Sequence, residues 1–212
     1  KITTGEAFRQ RFGNPYAVIH RADMHMSLVN GAKDSGEVDI ITNCHIERVE
    51  QDADGVSVFD QHGTEYRGQA LIAADGVKSV VRQKYVGDPA LVTGHVVYRA
   101  VVSKDEFPAD LQWNAASIWV GPHCHLVHYP LRGGDEYNIV VTFHSREQEE
   151  WGVKDGSQAE VFSYFKEVCP QAHQLIELPK SWKRWATADR DPIDTWTFGR
   201  LTLFVRAAHP TT

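Results

Sequence analysis

The chain has 212 residues, 42% of them hydrophobic, enough to bury the core of one large or two small domains. Its 22 basic and 28 acidic residues give a formal net charge of −6, and no run of Lys or Arg forms a phosphate-tracking surface, so nucleic acid is not an expected partner. Cys44, Cys124 and Cys169 stand far apart, outside any CxxC spacing, which argues against a disulfide framework or a four-thiolate zinc site. The opening "KITTGEAFRQRFG" lacks a signal-peptide apolar core, and no stretch has the apolar length of a membrane span. A soluble protein of a reducing cytoplasm is the expectation.

In chain order, the pattern from Ala22 to Ala32, with Met24, Leu28 and Val29, predicts a helix. The stretch from Val38 to Gly76 reads as a three-stranded β-meander with Asp-Gly and His-Gly turns, the last of its strands running from Ala70 to Ala74. That last strand is uniformly apolar, as one buried on both faces of a parallel sheet would be. It breaks at Asp75-Gly76 into a helix bearing Ser79 and Arg82. Residues 92 to 145 alternate in the manner of an antiparallel sheet, with "HCHLVHYPL" and "YNIVVTFH" joined as a hairpin at "RGGDE". Residues 157 to 178 predict a helix broken by Pro170, and Leu201 to Val205 predict a buried return strand. The order is α/β, then antiparallel β, then α/β again, which suggests one domain inserted into another.

Several short stretches carry chemistry. In "ALIAADGVKSVVR", Asp75 and Gly76 put a carboxylate and open backbone at the carboxyl end of a strand, where α/β folds bind ligands. Asp75 can hydrogen-bond a sugar hydroxyl and Gly76 lets the backbone approach a phosphate, although an ordinary strand-to-helix turn uses the same residues. In "HRADMH", Arg21 at a helix start could clamp a pyrophosphate, or it could be an exposed Arg beside a helix capped by Asp23. In "HCHLVHYPL", strand period two places His123, His125, Val127 and Tyr129 on one face and Cys124, Leu126 and His128 on the other. The Cα atoms of His125 and Tyr129 are then roughly 13 Å apart. Side chains at that separation can reach opposite ends of one aromatic ring, the His accepting a phenolic proton and the Tyr holding a carboxylate. Metal binding by His123 and His125 is the rival, weakened by the absence of a third ligand. A buried His-rich strand satisfied by backbone is the plain alternative. Arg99, in mid-strand, is either a surface residue or a buried anion partner.

Taken together, "HRADMH", "LIAADGVKSVVR", "YPLRGG" and "DRDPIDTWTFGRLTLF" followed by "AAHP" resemble the single-component flavoprotein aromatic hydroxylases, in the branch of the 3-hydroxybenzoate 6-hydroxylases and salicylate hydroxylases. The resemblance implies a partial doubly wound FAD-binding domain of mixed α/β (α+β) class carrying an inserted antiparallel β-sheet domain for substrate. On that frame residues 1–89 are part of the FAD domain, 90–180 the substrate domain and 181–212 the return into the FAD domain. The implied reaction uses FAD, NADH and O2 to hydroxylate a small aromatic acid through a flavin C4a-hydroperoxide. Conversion of 3-hydroxybenzoate to gentisate is the first expectation, and salicylate to catechol the alternative. His125 and Tyr129 match the family's base and its partner four residues on. By the same likeness Arg21 contacts the flavin chain, Asp75 and Gly76 lie near the pyrophosphate in the groove that receives NADH, and Pro210 lies beside the flavin ring. Relatives are commonly dimers, so a homodimer is allowed for.

Two departures from the family stand out. The GxGxxG segment that cradles the FAD pyrophosphate is not in the sequence, and the family's Gly-Asp before Ala-Ala-His-Pro is Val205-Arg206 here. An Arg cannot accept the hydrogen bond that the Asp takes from a ribityl hydroxyl. FAD and NADH are therefore expected to bind this chain weakly, and a folded binding or dimerisation piece without flavin is the reading from another class.

Overall fold

The computed structural model describes residues 3–209. Contacts divide the chain into two compact units, one made of Lys1–Asp39, Val97–Phe143 and Lys154–Arg184, the other of Ile40–Val96, His144–Val153 and Trp185–Thr212. Among the described residues no helix is long and apolar enough to cross a membrane.

The first unit opens with helices α1 (Glu6–Phe12) and α2 (Arg21–Ser35), neither of which buries a residue. Gly36 ends α2 in the left-handed conformation, φ 67°, the usual role of glycine after a helix. The N-cap of α2 is His20, whereas Asp23 turns away from the helix end and pairs with Arg132, so the capping role considered for Asp23 does not hold.

A six-stranded sheet follows, in the order β6-β7-β8-β5-β10-β9. Its strands are β5 (Leu91–Ser103), β6 (Ser117–Gly121), β7 (Cys124–Leu131), β8 (Glu136–His144), β9 (Gly152–Gly156) and β10 (Trp182–Asp189). Alternation assigns Leu126, Ile139, Val141 and Phe143 to the buried face, and all are at most 1% exposed. The core also holds Val161 of α4 (Gln158–Tyr164) and Leu175 and Ile176 of α5 (Pro170–Glu177). Pro170 does not interrupt a helix; it begins α5 at a position where a missing N–H costs nothing. Within this core Tyr98 donates to Glu160, which also accepts from Arg184 Nη2 at 3.1 Å. Burial, reinforced by the Glu160 carboxylate, pushes the Tyr98 hydroxyl up to about 12. Gly156 is needed here because a Cβ would lie 2.2 Å from the Tyr98 ring.

In the second unit β1 (Ile46–Gln51), β2 (Val56–Asp60) and β3 (Glu65–Gly68) form an antiparallel meander, so its third strand is Glu65–Gly68 and not the expected Ala70–Ala74, which lies in a different sheet. The first turn is closed by Asp52, whose Oδ1 accepts from the N–H groups of Asp54 and Gly55 at 2.8 and 2.9 Å. Strand β4 (Leu71–Ala73) pairs in parallel with β12 (Leu201–Leu203), which pairs antiparallel with β11 (Thr197–Phe198). The expectation that this apolar strand is buried on both faces is not met. Ala73 is 4% exposed but Ile72 is 66% exposed, because β4 is the edge of a three-stranded sheet with one packed face. The core of this unit joins Val49 and Val56 to Ala73, Val81, Leu201, Leu203, Ala207 and Ala208. The return strand is also shorter than expected, ending at Leu203 before a single 3-10 turn over Val205–Ala207.

Candidate functional site

The open face of the sheet in the first unit carries the residues with the strongest chemical promise. Along β7 the burial alternates, with Cys124, Leu126 and His128 buried, His125 exposed, and Val127 and Tyr129 half-buried. His125 and Tyr129 therefore share the open face, as strand periodicity requires. His123 does not join them. Its φ of 56° places it in the left-handed turn before β7, so the His123–His125 pair proposed as a metal rival is not formed by strand alternation. Among the described residues no group of His, Cys, Asp or Glu is placed to hold a metal ion.

The neighbouring strands complete the face. On β6, Val120 pairs with His125 and Ile118 with Val127; on β8, Thr142 pairs with His125, Val140 with Val127 and Asn138 with Tyr129. Cross-strand partners stand about 5 Å apart. Ile118 and Val120 are 65% and 79% exposed, so an apolar surface is left open to a flat ligand. Arg99 on β5 is exposed as well, so it is not a buried anion partner.

Beneath this face, His128 is fully buried among aromatic rings. Trp119 Nε1 donates to His128 Nδ1 at 2.9 Å, so the neutral ring carries its proton on Nε2. The rings of Trp119, Trp113 and Phe107 lie 5.9, 5.9 and 5.5 Å from it. Burial pushes the His128 pKa below the ordinary histidine value. This bond ties β6 to β7 one residue from the exposed Ile118 and Val120.

Arg21 begins α2 and is exposed. Two residues on, Asp23 accepts from Arg132 Nε and Nη2, both at 3.0 Å, and this guanidinium holds the Asp23 carboxyl below the usual carboxylate range. Thus "HRADMH" and "YPLRGG" meet through one bidentate ion pair.

In the second unit Asp75 and Gly76 form the turn after β4. Asp75 Oδ2 accepts from Val81 N at 3.4 Å, in α3 (Val80–Tyr85), and Gly76 has φ 79° with nothing within 4 Å of a Cβ. Arg82 of α3 is 1% exposed and uses its whole guanidinium. It donates to Asp88 through Nε and Nη2 at 2.9 and 2.7 Å, to the Ala207 and Ala208 carbonyls through Nη1 at 3.1 and 2.7 Å, and to the Asp191 carbonyl at 3.0 Å. Arg190 also donates to Asp88 and, at 3.3 Å, to the Val77 carbonyl. These buried guanidinium contacts were not legible as a site; the "DGVKSVVR", "DRDP" and "AAHP" motifs were, and this is what joins them. Beside them lies a cleft of about 400 Å³ lined by Lys78, Gln83, Lys84, Arg190 and Trp151, with Lys78 Nζ 5.2 Å from the Trp151 ring centre. Pro210 lies outside the described residues.

Comparison with known proteins agrees with this architecture. The 3-hydroxybenzoate 6-hydroxylase of Polaromonas naphthalenivorans is 68% identical over 212 residues, covering 100% of this chain and 53% of that protein. The 3-hydroxybenzoate 6-hydroxylase of Klebsiella oxytoca is 55% identical over 209 residues, with 99% and 53% covered. The chain spans about half the length of the curated relatives it matches. Among solved structures, Klebsiella pneumoniae HpxO complexed with FAD and uric acid has a TM-score of 0.81 at 25% identity, covering 97% of this chain and 52% of that one. A salicylate hydroxylase substrate complex shares the fold with a TM-score of 0.74 at 24% identity, covering 90% and 51%. The family model described as FAD binding domain matches residues 8–212, and the chain belongs to that family.

Proposed function

We propose that this chain forms part of an NADH-dependent flavoprotein monooxygenase that hydroxylates 3-hydroxybenzoate to gentisate. The observation that carries the reading is the pairing of His125 with Tyr129 on one open face, separated by Val127. The names of the relatives at 68% and 55% identity support the same substrate.

Part of the contact set for the FAD that the family implies is present on this chain. Asp75 keeps one carboxylate oxygen without a hydrogen-bond partner among the described residues, and Gly76 leaves its backbone open to close approach. By the family likeness Arg21 would contact the flavin chain, Asp75 would lie near the pyrophosphate, and Pro210 would lie beside the ring system. The Val205-Arg206 turn offers a cation and no acceptor, which favours weak retention of FAD by this chain. The cationic cleft of Lys78, Lys84 and Arg190 supports a phosphate-bearing reductant such as NADH.

Bound FAD supplies activation of O2 for transfer of one oxygen atom to the ring. The chain's own contribution is to prepare the ring. His125 accepts the phenolic proton, and the resulting phenolate pushes electron density to its ortho and para carbons. Tyr129 donates to the carboxylate and fixes which carbon is presented. Val127, with Ile118 and Val140 beside it, supports the ring between the two polar ends.

Replacing His125 by Ala in the flavin-loaded protein is expected to slow hydroxylation by about 10²–10⁴-fold with the far-UV spectrum retained. Turnover unchanged by this substitution would overturn the role of His125. Product analysis separates gentisate from catechol, the product of salicylate hydroxylation.

A further inference from the structure

Asn138 is a polar residue on the open face that the sequence motifs do not single out. On β8, Tyr137, Ile139 and Val141 turn to the core, so Asn138, Val140 and Thr142 belong to the opposite face. The register with β7 sets Asn138 opposite Tyr129, Val140 opposite Val127 and Thr142 opposite His125. Along the strands the face therefore reads polar, apolar, polar, and successive rows are about 7 Å apart. The two polar rows are then roughly 13 Å apart at their Cα atoms, and their side chains can lean inward to reach opposite ends of one substituted benzene ring.

Asn138 is only 8% exposed, and the register sets its amide beside the Tyr129 hydroxyl position on this face. A sheltered amide gains most from a hydrogen-bonding ligand, and two residues away the same face carries the apolar Val140. An amide NH2 and the Tyr129 hydroxyl are both donors, and a carboxylate has two oxygens to receive them. At the other end the Thr142 hydroxyl lies beside His125, where a phenolic oxygen would come to rest.

We infer that Asn138 and Tyr129 together form the subsite for the carboxylate of an aryl acid whose hydroxyl reaches His125. The inference rests on the proposed function above and adds a specificity-determining residue to it. Because Asn is neutral, the subsite selects for hydrogen-bond geometry and does not place a fixed cation beside the ring.

The test compares binding of 3-hydroxybenzoate with that of uncharged 3-hydroxybenzyl alcohol by titration calorimetry, in the wild-type protein and in the Asn138→Ala and Asn138→Asp variants. Circular dichroism checks the fold of each. Asn138→Ala should weaken the acid by about tenfold to a hundredfold and change the alcohol by less than about threefold, since hydrogen bonds to charged groups are the strong ones. Asn138→Asp keeps the side-chain size, adds a like charge and should weaken the acid at least as much. Equal losses for acid and alcohol, unchanged affinity for the acid in both variants, or a wild type that binds neither probe would each overturn the inference. A His125→Ala variant with unchanged turnover would instead overturn the assigned base and leave the contrast between acid and alcohol at Asn138 standing.

Discussion

Arg82 Nη1 donates to the carbonyl oxygens of both Ala207 and Ala208, at 3.1 and 2.7 Å, across 125 and 126 residues of sequence. The other two nitrogens of the same guanidinium grip the Asp88 carboxylate. One buried side chain thereby joins the helix after the Asp75-Gly76 turn to the Ala-Ala-His-Pro segment. The planar fork of donors is what makes this possible, and a lysine ammonium at this place has neither the reach nor the number of donors.

Arg82→Lys should therefore destabilise the protein nearly as much as Arg82→Met. Removing one partner of a buried pair costs about 3–5 kcal/mol, because the remaining carboxylate and carbonyls lose their donors. Urea unfolding followed by Trp fluorescence measures it. A loss below about 1 kcal/mol in Arg82→Lys would show that a point charge suffices. The Arg82 guanidinium also holds the Asp88 carboxyl below the usual carboxylate range. A group depressed in the folded state contributes stability that is complete above its unfolded pKa, about 3.9, and is lost as pH falls through the folded value. Asp88→Asn should remove that part of the acid dependence.

Val205 has φ 52°, in the left-handed region that is costly for a β-branched residue. Val205→Gly should raise stability by about 0.5–1 kcal/mol, since relief of roughly 1–2 kcal/mol of strain exceeds the extra entropy glycine loses on folding. Thermal unfolding with Val205→Ala as comparison is the measurement. A glycine variant less stable than the wild type would contradict the strained turn.

His128 should titrate below the ordinary value of about 6.5, because burial among Trp119, Trp113 and Phe107 disfavours the imidazolium. NMR titration of its ring protons reads this directly. The sign for stability follows: the contribution is full above about 6.5 and is lost as pH falls from there through the depressed folded value. His128→Phe should flatten the stability profile in that window. It should also cost stability overall, since Trp119 Nε1 loses its acceptor.

Much of the local structure was legible in the residues alone. Asp-Gly and His-Gly dipeptides marked the turns of the β1-β2-β3 meander because glycine or an Asx side chain closes such turns without distant help. Alternation in "HCHLVHYPL" placed His125 and Tyr129 on one face because a strand has period two wherever it lies. The same reasoning failed for His123, whose backbone had already left the strand, and for Ile72, whose exposure depends on which strands return beside β4.

By itself, then, the sequence determined most of the turns, the shared face of His125 and Tyr129 and the motifs of a FAD binding domain, since these depend on interactions between near neighbours in the chain. Only the tertiary structure decided that Asp23 serves Arg132 and not its own helix, that Arg82 reaches Ala208, and that Asn138 stands opposite Tyr129. Those pairings depend on strand register and on chain segments that meet after long excursions, and no periodicity within a single segment encodes them.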